Sequence, residues 1–178
     1  MHGFLRTSAV VFSATMLAAC GSSTSPSSKT STTGPPSTNV DTNFDSCSVV
    51  TQEEAASALG ETITAAGVLG TATVEGGLAC VLYGPSAPKP ADPNVGQPDS
   101  VRVVVVKGPE ASRWYNDYKS KVTASPVSGY GDEAYYDGVA SLNVLKGANY
   151  LRIAVVPAVG PPSLSGEQQL AAAILRKL

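Results

Sequence analysis

The three cysteines are the residues whose type and spacing most directly indicate chemistry in this chain. Cys20 ends the run LAAC at 17–20, and a cysteine directly after small residues is what diacylglyceryl transfer and signal cleavage require. The apolar stretch 7–19 is shorter than the about 20 residues that a membrane-spanning helix needs, and no basic cluster follows it. The sequence therefore predicts a signal peptide over residues 1–19 and lipidation at Cys20 with acyl chains such as palmitate.

Lipidation of Cys20 would decide where the chain is found. Two acyl chains, each contributing about 0.8 kcal/mol per buried CH₂, hold a protein at a bilayer without spanning it. We therefore expect a lipoprotein on the extracytoplasmic face of the cell membrane, with the membrane as one of its partners.

Cys47 and Cys80 would then lie in an oxidising compartment, where two thiols of one domain form a disulfide bond. The alternative is a redox-active or metal-binding pair. The wide separation of these cysteines lacks the C-x-x-C spacing that is typical of both alternatives. We expect a structural disulfide that pins the start of the domain to a strand.

The composition excludes several kinds of site. His2 is the only histidine and lies in the predicted signal peptide, so the mature chain would have no imidazole for a metal, a triad or a near-neutral base. With 12 Lys and Arg against 14 Asp and Glu, the net charge of −2 offers no basic face for a phosphate backbone. We expect no metal site, no cofactor and no nucleic-acid partner.

Two polar clusters could in principle carry catalysis. Asp132 and Glu133, close to Asp137, form the densest acidic group, but adjacent residues of a strand point to opposite faces, which separates the carboxylates. Ser120 and Lys121 are neighbours rather than one helical turn apart, which does not suit a Ser-Lys dyad. The sequence therefore predicts that the protein is not an enzyme and has no catalytic residue.

The aromatic side chains are candidates for a binding surface. Aromatic rings with polar tips favour recognition surfaces, and they lie on one predicted helix and on the segment 130–136. A groove between these two elements is the predicted binding site, and packing in the core is the alternative use of the same rings. The candidate residues are Trp114, Tyr115, Tyr118, Tyr130 and Tyr135.

The elements that must position these residues begin after a polar segment. Residues 20–44 comprise the lipidated cysteine and a stretch rich in Ser, Thr and Pro that cannot form a core, so they predict a disordered tether. Residues 45–178 are long enough for a single globular domain. A capping box at Thr51 and Glu54, with Gly60 as the stop, predicts a first helix over 52–59.

Strands and helices then alternate in two sets. Strands are predicted at 71–75 and 78–83 around a Gly76-Gly77 turn, and at 101–106, after which a helix begins at 108–110. Strands at 133–136, 139–146 and 149–156 follow, and a last helix begins at Ser165. The order α-βββ-α-βββ-α predicts an α+β fold with helices packed on one or more antiparallel sheets and one disulfide.

The segments around the two domain cysteines resemble a known family. The run 45–56, the strand that begins at Cys80, the run GYGDEAY at 129–135 and the closing amphipathic helix together resemble an actinobacterial lipoprotein family, the domain-of-unknown-function 3558 type. The resemblance spans nearly the whole predicted domain. The family is similar also to extracellular sensor domains of some mycobacterial serine/threonine kinases. It implies a secreted lipoprotein with a cysteine pair at Cys47 and Cys80, and it supplies no catalytic residues.

Together these observations predict a lipid-anchored, monomeric envelope protein that is not an enzyme. Its domain would bind an envelope protein, a glycan or a lipid. A lipid or glycolipid carrier is the alternative, and it would need an apolar cavity lined by Val101, Val103, Leu142 and Ile153. An envelope hydrolase is the third interpretation and would need carboxylates that converge in a cleft.

Overall fold

The computed structural model of this protein describes residues 44–178. The predicted signal peptide, Cys20 and residues 21–43 of the predicted tether lie outside the described residues. The helices are α1 (Gln52–Leu59), α2 (Ala111–Lys119) and α3 (Leu164–Ile174), and a 3-10 turn covers Ser46–Val49. The strands are β1 (Val68–Val74), β2 (Gly77–Tyr83), β3 (Ser100–Lys107), β4 (Ser125–Pro126), β5 (Glu133–Tyr136), β6 (Leu142–Lys146) and β7 (Asn149–Val156).

The strands form one antiparallel sheet in the order β1-β2-β3-β7-β6-β5-β4. The two long central strands, β3 and β7, pair from Ser100 opposite Val156 to Lys107 opposite Asn149. The predicted α+β class, with helices packed on an antiparallel sheet, is confirmed. The two-residue strand β4 and the 3-10 turn before α1 are additions to the predicted order of elements.

The first helix is built as its sequence predicts. The Thr51 hydroxyl accepts the Glu54 N–H at 3.2 Å, and the Glu54 carboxylate accepts the Thr51 N–H at 2.9 Å. These two bonds satisfy backbone donors that have no partner inside the helix. The helix ends at Gly60, whose φ of 78° is left-handed and open to glycine at little cost.

The first hairpin turns one residue earlier than predicted. Glu75 and Gly76 occupy the turn with φ of 41° and 88°, while Gly77 belongs to β2 and pairs with Val74. Gly77 is needed in the strand because a Cβ there would lie 2.8 Å from the Val105 carbonyl oxygen. The predicted Gly76-Gly77 turn is therefore wrong by one position, and Glu75 takes the less favourable backbone conformation.

The strand predicted over 139–146 is wrong in its first part, because β6 begins only at Leu142. Val139 is 71% exposed and lies in a loop. The carboxylate Oδ1 of Asp137 accepts the N–H groups of Val139, Ala140 and Ser141 at 2.9, 2.8 and 2.9 Å. An aspartate that binds the backbone just ahead of itself offers these N–H groups an alternative to a strand ladder.

Both later helices begin at a different residue from the prediction. The helix predicted to start at 108–110 begins at Ala111, with Glu110 at its N-cap. The last helix is capped by Ser163, whose hydroxyl accepts the Gly166 N–H at 3.2 Å, and not by Ser165. Ser163 and Ser165 both stand at the start of the last helix, and Gly108-Pro109-Glu110 precedes α2, so local propensity leaves the choice of the first helical residue to the packing.

Alternation along the strands divides the core between the two sheet faces. On one face, α1 and α3 pack against side chains that include Val101, Val103, Leu142 and Ile153. The two helices approach closely at Gly166, where a Cβ would lie 2.4 Å from the Ala58 carbonyl oxygen. The other face is covered by α2 at one end only, and the rest of that face positions the site described next.

Candidate functional site

A cavity of about 250 Å³ opens on the sheet face that carries α2. The cavity lies beside the helix because α2 has nine residues and so extends over only about 13 Å of the face. Six lining residues come from strands and four from two loops. They are Val74, Arg102, Val104, Arg152, Ala154 and Val156, with Asn94, Gly96, Ala140 and Ser141.

Strand register explains why arginine and small apolar side chains share this face. Arg102 stands opposite Ala154, and Val104 stands opposite Arg152, in adjacent rows of the β3–β7 pair. The two arginines are therefore diagonal neighbours that point to the same side of the sheet. Because Ala154 is small, space remains above the strands where a larger residue would fill the cavity.

Arg152 is held by a network of acceptors at the edge of the cavity. Its guanidinium forms an ion pair with Glu75 in the β1–β2 turn. It also donates to the Tyr118 hydroxyl at 2.8 Å and to the Ser141 hydroxyl at 3.2 Å. Burial is the largest single effect and would lower the pKa of Arg152, but Glu75, Tyr118 and Tyr150 together outweigh it, so the net effect is a raised pKa.

Asp137 supplies a second negative charge to the same network. Its Oδ2 accepts the Tyr118 hydroxyl at 2.9 Å and lies 3.8 Å from Arg152 Nη2. Burial would raise the pKa of Asp137, but the backbone donors of residues 139–141 and the Tyr118 hydroxyl outweigh it and lower the pKa. Asp137 is therefore a buried carboxylate that stays charged and helps to balance Arg152.

Arg102 lies in a different electrostatic setting from Arg152. Within the described residues it forms one hydrogen bond, from Nη2 to the Asn94 carbonyl oxygen at 3.3 Å, and no carboxylate lies within 4.0 Å of it. Burial, and then the positive charge of Arg152, lower the pKa of Arg102. A partly buried guanidinium without a neutralising carboxylate is costly, which marks the position as unusual.

The loop wall of the cavity is fixed to the edge strand. Asn94 Oδ1 accepts the N–H groups of Thr71 and Ala72 at 2.9 and 2.8 Å, where the β1–β2 pairing shifts register. The Asn94 side-chain amide and backbone N–H in turn donate to the Asp92 carboxylate. These bonds satisfy strand donors and set the Asn94 carbonyl against Arg102, so this wall of the cavity is held in place.

The predicted aromatic groove is wrong for two of its residues, because Tyr115 and Tyr135 are 0% and 1% exposed. Their rings meet edge to face at 5.1 Å, and Tyr115 meets Tyr150 in the same way at 5.7 Å. These rings form the core under α2, which is the alternative use considered for them. Their amphipathic spacing is the same for a core and for a groove, so the sequence could not separate the two.

The other three candidates are separated in the fold. Tyr130 packs against the core cluster of α1 and α3, which is a different cluster from the one under α2. Trp114 covers the first hairpin turn, where a Cβ on Gly76 would lie 2.4 Å from its ring. Only Tyr118 joins the cavity, through its bonds to Arg152 and Asp137.

The predicted disulfide is confirmed between Cys47 and Cys80, whose Cα atoms lie 4.9 Å apart. It ties the 3-10 turn to β2, and Gly67 leaves room for it because a Cβ there would lie 2.6 Å from Cys80 Sγ. Ser46 adds a second link, since its hydroxyl donates to the Leu78 carbonyl and accepts the Val105 N–H. The lipidation predicted at Cys20 lies outside the described residues.

The acidic residues considered for catalysis have separate partners. Asp132 accepts the Gly147 N–H at 2.6 Å, and Glu133 pairs with Lys119. Asp137 faces Arg152 on the cavity side. These carboxylates thus stabilise turns and ion pairs, as expected for adjacent residues whose side chains diverge.

The residues that sequence reasoning missed are Arg102 and Arg152. The signal for both was present, because each is the one charged residue inside an apolar strand, in VRVVVV at 101–106 and LRIAVV at 151–156. Their shared face could not be read from the sequence, because it depends on the pairing of β3 with β7.

Comparisons with protein-family models, with curated proteins and with solved structures found no match to this chain. Within residues 44–178, no helix is both long and apolar enough to cross a membrane. The same residues contain no group of three or more His, Cys, Asp or Glu side chains that could hold a metal ion. The resemblance to the lipoprotein family stays a prediction.

Proposed function

We propose that this chain is a membrane-anchored extracytoplasmic lipoprotein whose domain binds a ligand and does not catalyse a reaction. The observation that carries the binding part is the cavity on the open end of the sheet face, with its apolar floor and Arg102. Ligand sites are typically concave and apolar, with a few polar groups that fix the orientation of the ligand, and this cavity has that composition.

The compartment rests on the sequence and is consistent with the disulfide. The LAAC run at 17–20 supports lipidation at Cys20, and the Cys47–Cys80 bond suits an oxidising environment. A tether between the lipid and the domain would let the cavity meet molecules of the envelope.

The lining of the cavity favours binding over catalysis. None of the ten lining residues is a carboxylic acid, a thiol, a lysine or a histidine. The Ser141 hydroxyl is the only nucleophile type among them, and it accepts a hydrogen bond from Arg152, whose guanidinium is no general base. The envelope hydrolase therefore has no acid–base pair in this cavity.

The carrier alternative predicted a cavity lined by Val101, Val103, Leu142 and Ile153. These four side chains are fully buried between the sheet and the helices α1 and α3. The cavity lies on the opposite face, and its about 250 Å³ is below the roughly 300–1,000 Å³ typical of drug-sized ligand pockets. The site therefore suits a small ligand, or one end of a larger one, better than an enclosed lipid.

Filling the cavity tests the binding proposal. Ala154→Leu places a larger side chain on its floor, and Ala172→Leu makes the same change at an exposed position of α3 as a matched control. We expect the neutral apolar dye N-phenyl-1-naphthylamine to gain fluorescence with the wild type and with Ala172→Leu, and to lose most of it with Ala154→Leu. Equal fluorescence for all three proteins would contradict binding in this cavity.

Membrane fractionation tests the anchor. We expect Cys20→Ala to appear in the soluble fraction and Ser22→Ala, a nearby control, to stay with membranes. Recovery of Cys20→Ala with membranes, at the level of the wild type, would contradict the lipid anchor.

A further inference from the structure

We propose that Arg102 is the anion-binding residue of the cavity and that the ligand is an amphipathic anion, a carboxylate or phosphate group on a short apolar chain. This inference rests on the proposed binding function and adds the chemical class of the ligand. It follows from the different surroundings of the two cavity arginines, from the floor between them and from the size of the space.

The two arginines differ in how far their charge is balanced. Arg152 has Glu75 in an ion pair and Asp137 at 3.8 Å, so two carboxylates already face one guanidinium. Arg102 has neither at that distance, and among the described residues only the Asn94 carbonyl accepts from it. Glu75 and Asp92 act on Arg102 only through longer-range attraction, against the repulsion of Arg152. The unbalanced positive charge of the cavity is therefore at Arg102.

Arg102 also has unused hydrogen-bonding capacity. A guanidinium carries five N–H donors in a planar fork that matches a carboxylate or a phosphate, and one of these donors is occupied here. Tyr83, whose phenol is close enough to feel the charge of Arg102, has a buried hydroxyl with no partner among the described residues. An anion at Arg102 would offset the cost of burying its charge, which burial and Arg152 both increase.

The apolar part of the ligand is indicated by the floor of the cavity. Val104, Ala154 and Val156 come from the two central strands, and Val74 comes from β1. A free inorganic ion would leave this apolar surface in contact with water, whereas a short hydrocarbon would cover it at about 25 cal/mol per Å². The cavity is too small to enclose a lipid with two acyl chains, so we assign a soluble amphipathic anion rather than a bilayer lipid.

Calorimetric titration with matched probes tests this assignment. The full chain carries Cys20→Ala throughout, so that no detergent competes for apolar probes. The probes are octanoate and octyl phosphate, which have both parts of the proposed ligand, 1-octanol, which lacks the charge, and inorganic phosphate, which lacks the apolar chain. We expect the two octyl anions to bind at least tenfold more tightly than 1-octanol and inorganic phosphate.

Substitution then assigns the effect to one arginine. We expect Arg102→Gln to weaken octanoate binding at least tenfold while leaving 1-octanol binding within twofold, and Arg102→Lys, which keeps the charge, to retain part of the preference. Arg176→Gln, at an exposed position just after α3, is the matched control and should bind octanoate as the wild type does. Near-ultraviolet circular dichroism checks that each variant is folded.

The outcomes separate this inference from the proposed function. Equal binding of octanoate and 1-octanol by the wild type overturns the anion assignment but leaves a ligand-binding cavity, and this comparison needs no variant to fold. Octanoate preference that survives Arg102→Gln overturns the role of Arg102. If the wild type binds neither the dye nor any of the four probes, the proposed binding function itself is overturned.

Discussion

Glu167 is a buried carboxyl group without a charged partner among residues 44–178, and its replacement by glutamine should stabilise the protein in a pH-dependent way. The residue lies in α3 and is 0% exposed. Its Oε1 accepts the Val155 N–H at 3.4 Å, and its Oε2 has no partner among the described residues. Burial is the main cause that raises the pKa of Glu167 to about 8 from the ordinary 4.5.

The sign of the pH dependence follows from proton binding. In the unfolded chain the carboxyl group ionises above pH 4.5, whereas in the folded protein it keeps its proton up to about pH 8. Between these values the folded state binds more protons than the unfolded state, so the free energy of unfolding falls as the pH rises. The contribution of Glu167 is fully present below pH 4.5 and is lost by about pH 8.

The magnitude follows from about 1.4 kcal/mol for each unit of pKa difference. At pH 7 the free energy of unfolding has lost about 3 kcal/mol of the Glu167 contribution present at pH 4.5, and at pH 8 or above this loss approaches about 5 kcal/mol. Glu167→Gln removes the titration and keeps an oxygen that can accept from Val155. The variant should therefore gain stability relative to the wild type as the pH rises from 5 to 8.

Urea unfolding at pH 5 and pH 8, with the disulfide intact, measures the effect as a difference between the two proteins at each pH. Groups that titrate elsewhere in the chain cancel in this difference, and so does any constant cost of the amide. Glu133→Gln makes the same change at an exposed position and shows how much of the effect belongs to the loss of any one carboxyl group. If the free energies of unfolding of the wild type and Glu167→Gln differ by the same amount at both pH values, the reasoning is refuted.

Three other changes test the supports of the fold by urea unfolding. Replacing both Cys47 and Cys80 by serine should lower the free energy of unfolding by about 4 kcal/mol, as the closure of this loop implies, and an unchanged midpoint would contradict that role. Arg152→Gln should cost about 2–3 kcal/mol, less than a fully buried pair, because the side chains of the ion pair are about a fifth exposed, and a loss within 0.5 kcal/mol would count against the network. Gly60→Ala should lower the free energy of unfolding by about 1 kcal/mol, because Gly60 has a positive φ. Gly76→Ala should lower it by more, because Gly76 also has a positive φ and a Cβ there would lie 2.4 Å from the Trp114 ring.

Elements with strong local signals were predictable. The capping box at Thr51 and Glu54 and the stop at Gly60 identify α1 to the residue, because every group involved lies within a few positions along the chain. The long strands β3 and β7 were also found, since continuous apolar runs mark central strands of a sheet. The oxidising compartment that the Cys20 signal predicts led correctly to the disulfide.

Boundaries that depend on competing local bonds were not predictable. The hairpin turn moved to Glu75 because Gly77 is required where β2 approaches β3 closely. The strand after Asp137 was shortened because one carboxylate binds three successive N–H groups. In the first case a contact to a neighbouring strand decided the conformation, and in the second a local side-chain bond to the backbone competed with the strand ladder.

The amino-acid sequence by itself determined the class of fold, the main elements and the cysteine pair, since these depend on patterns and caps that act over short distances, and the membrane address stays its prediction. Only the tertiary structure decided that two of the candidate tyrosines are core residues and that Arg102 and Arg152 share one cavity. The reason is that a side chain's face and neighbours are set by strand pairing between segments about fifty residues apart, and residue type alone carries no record of that register.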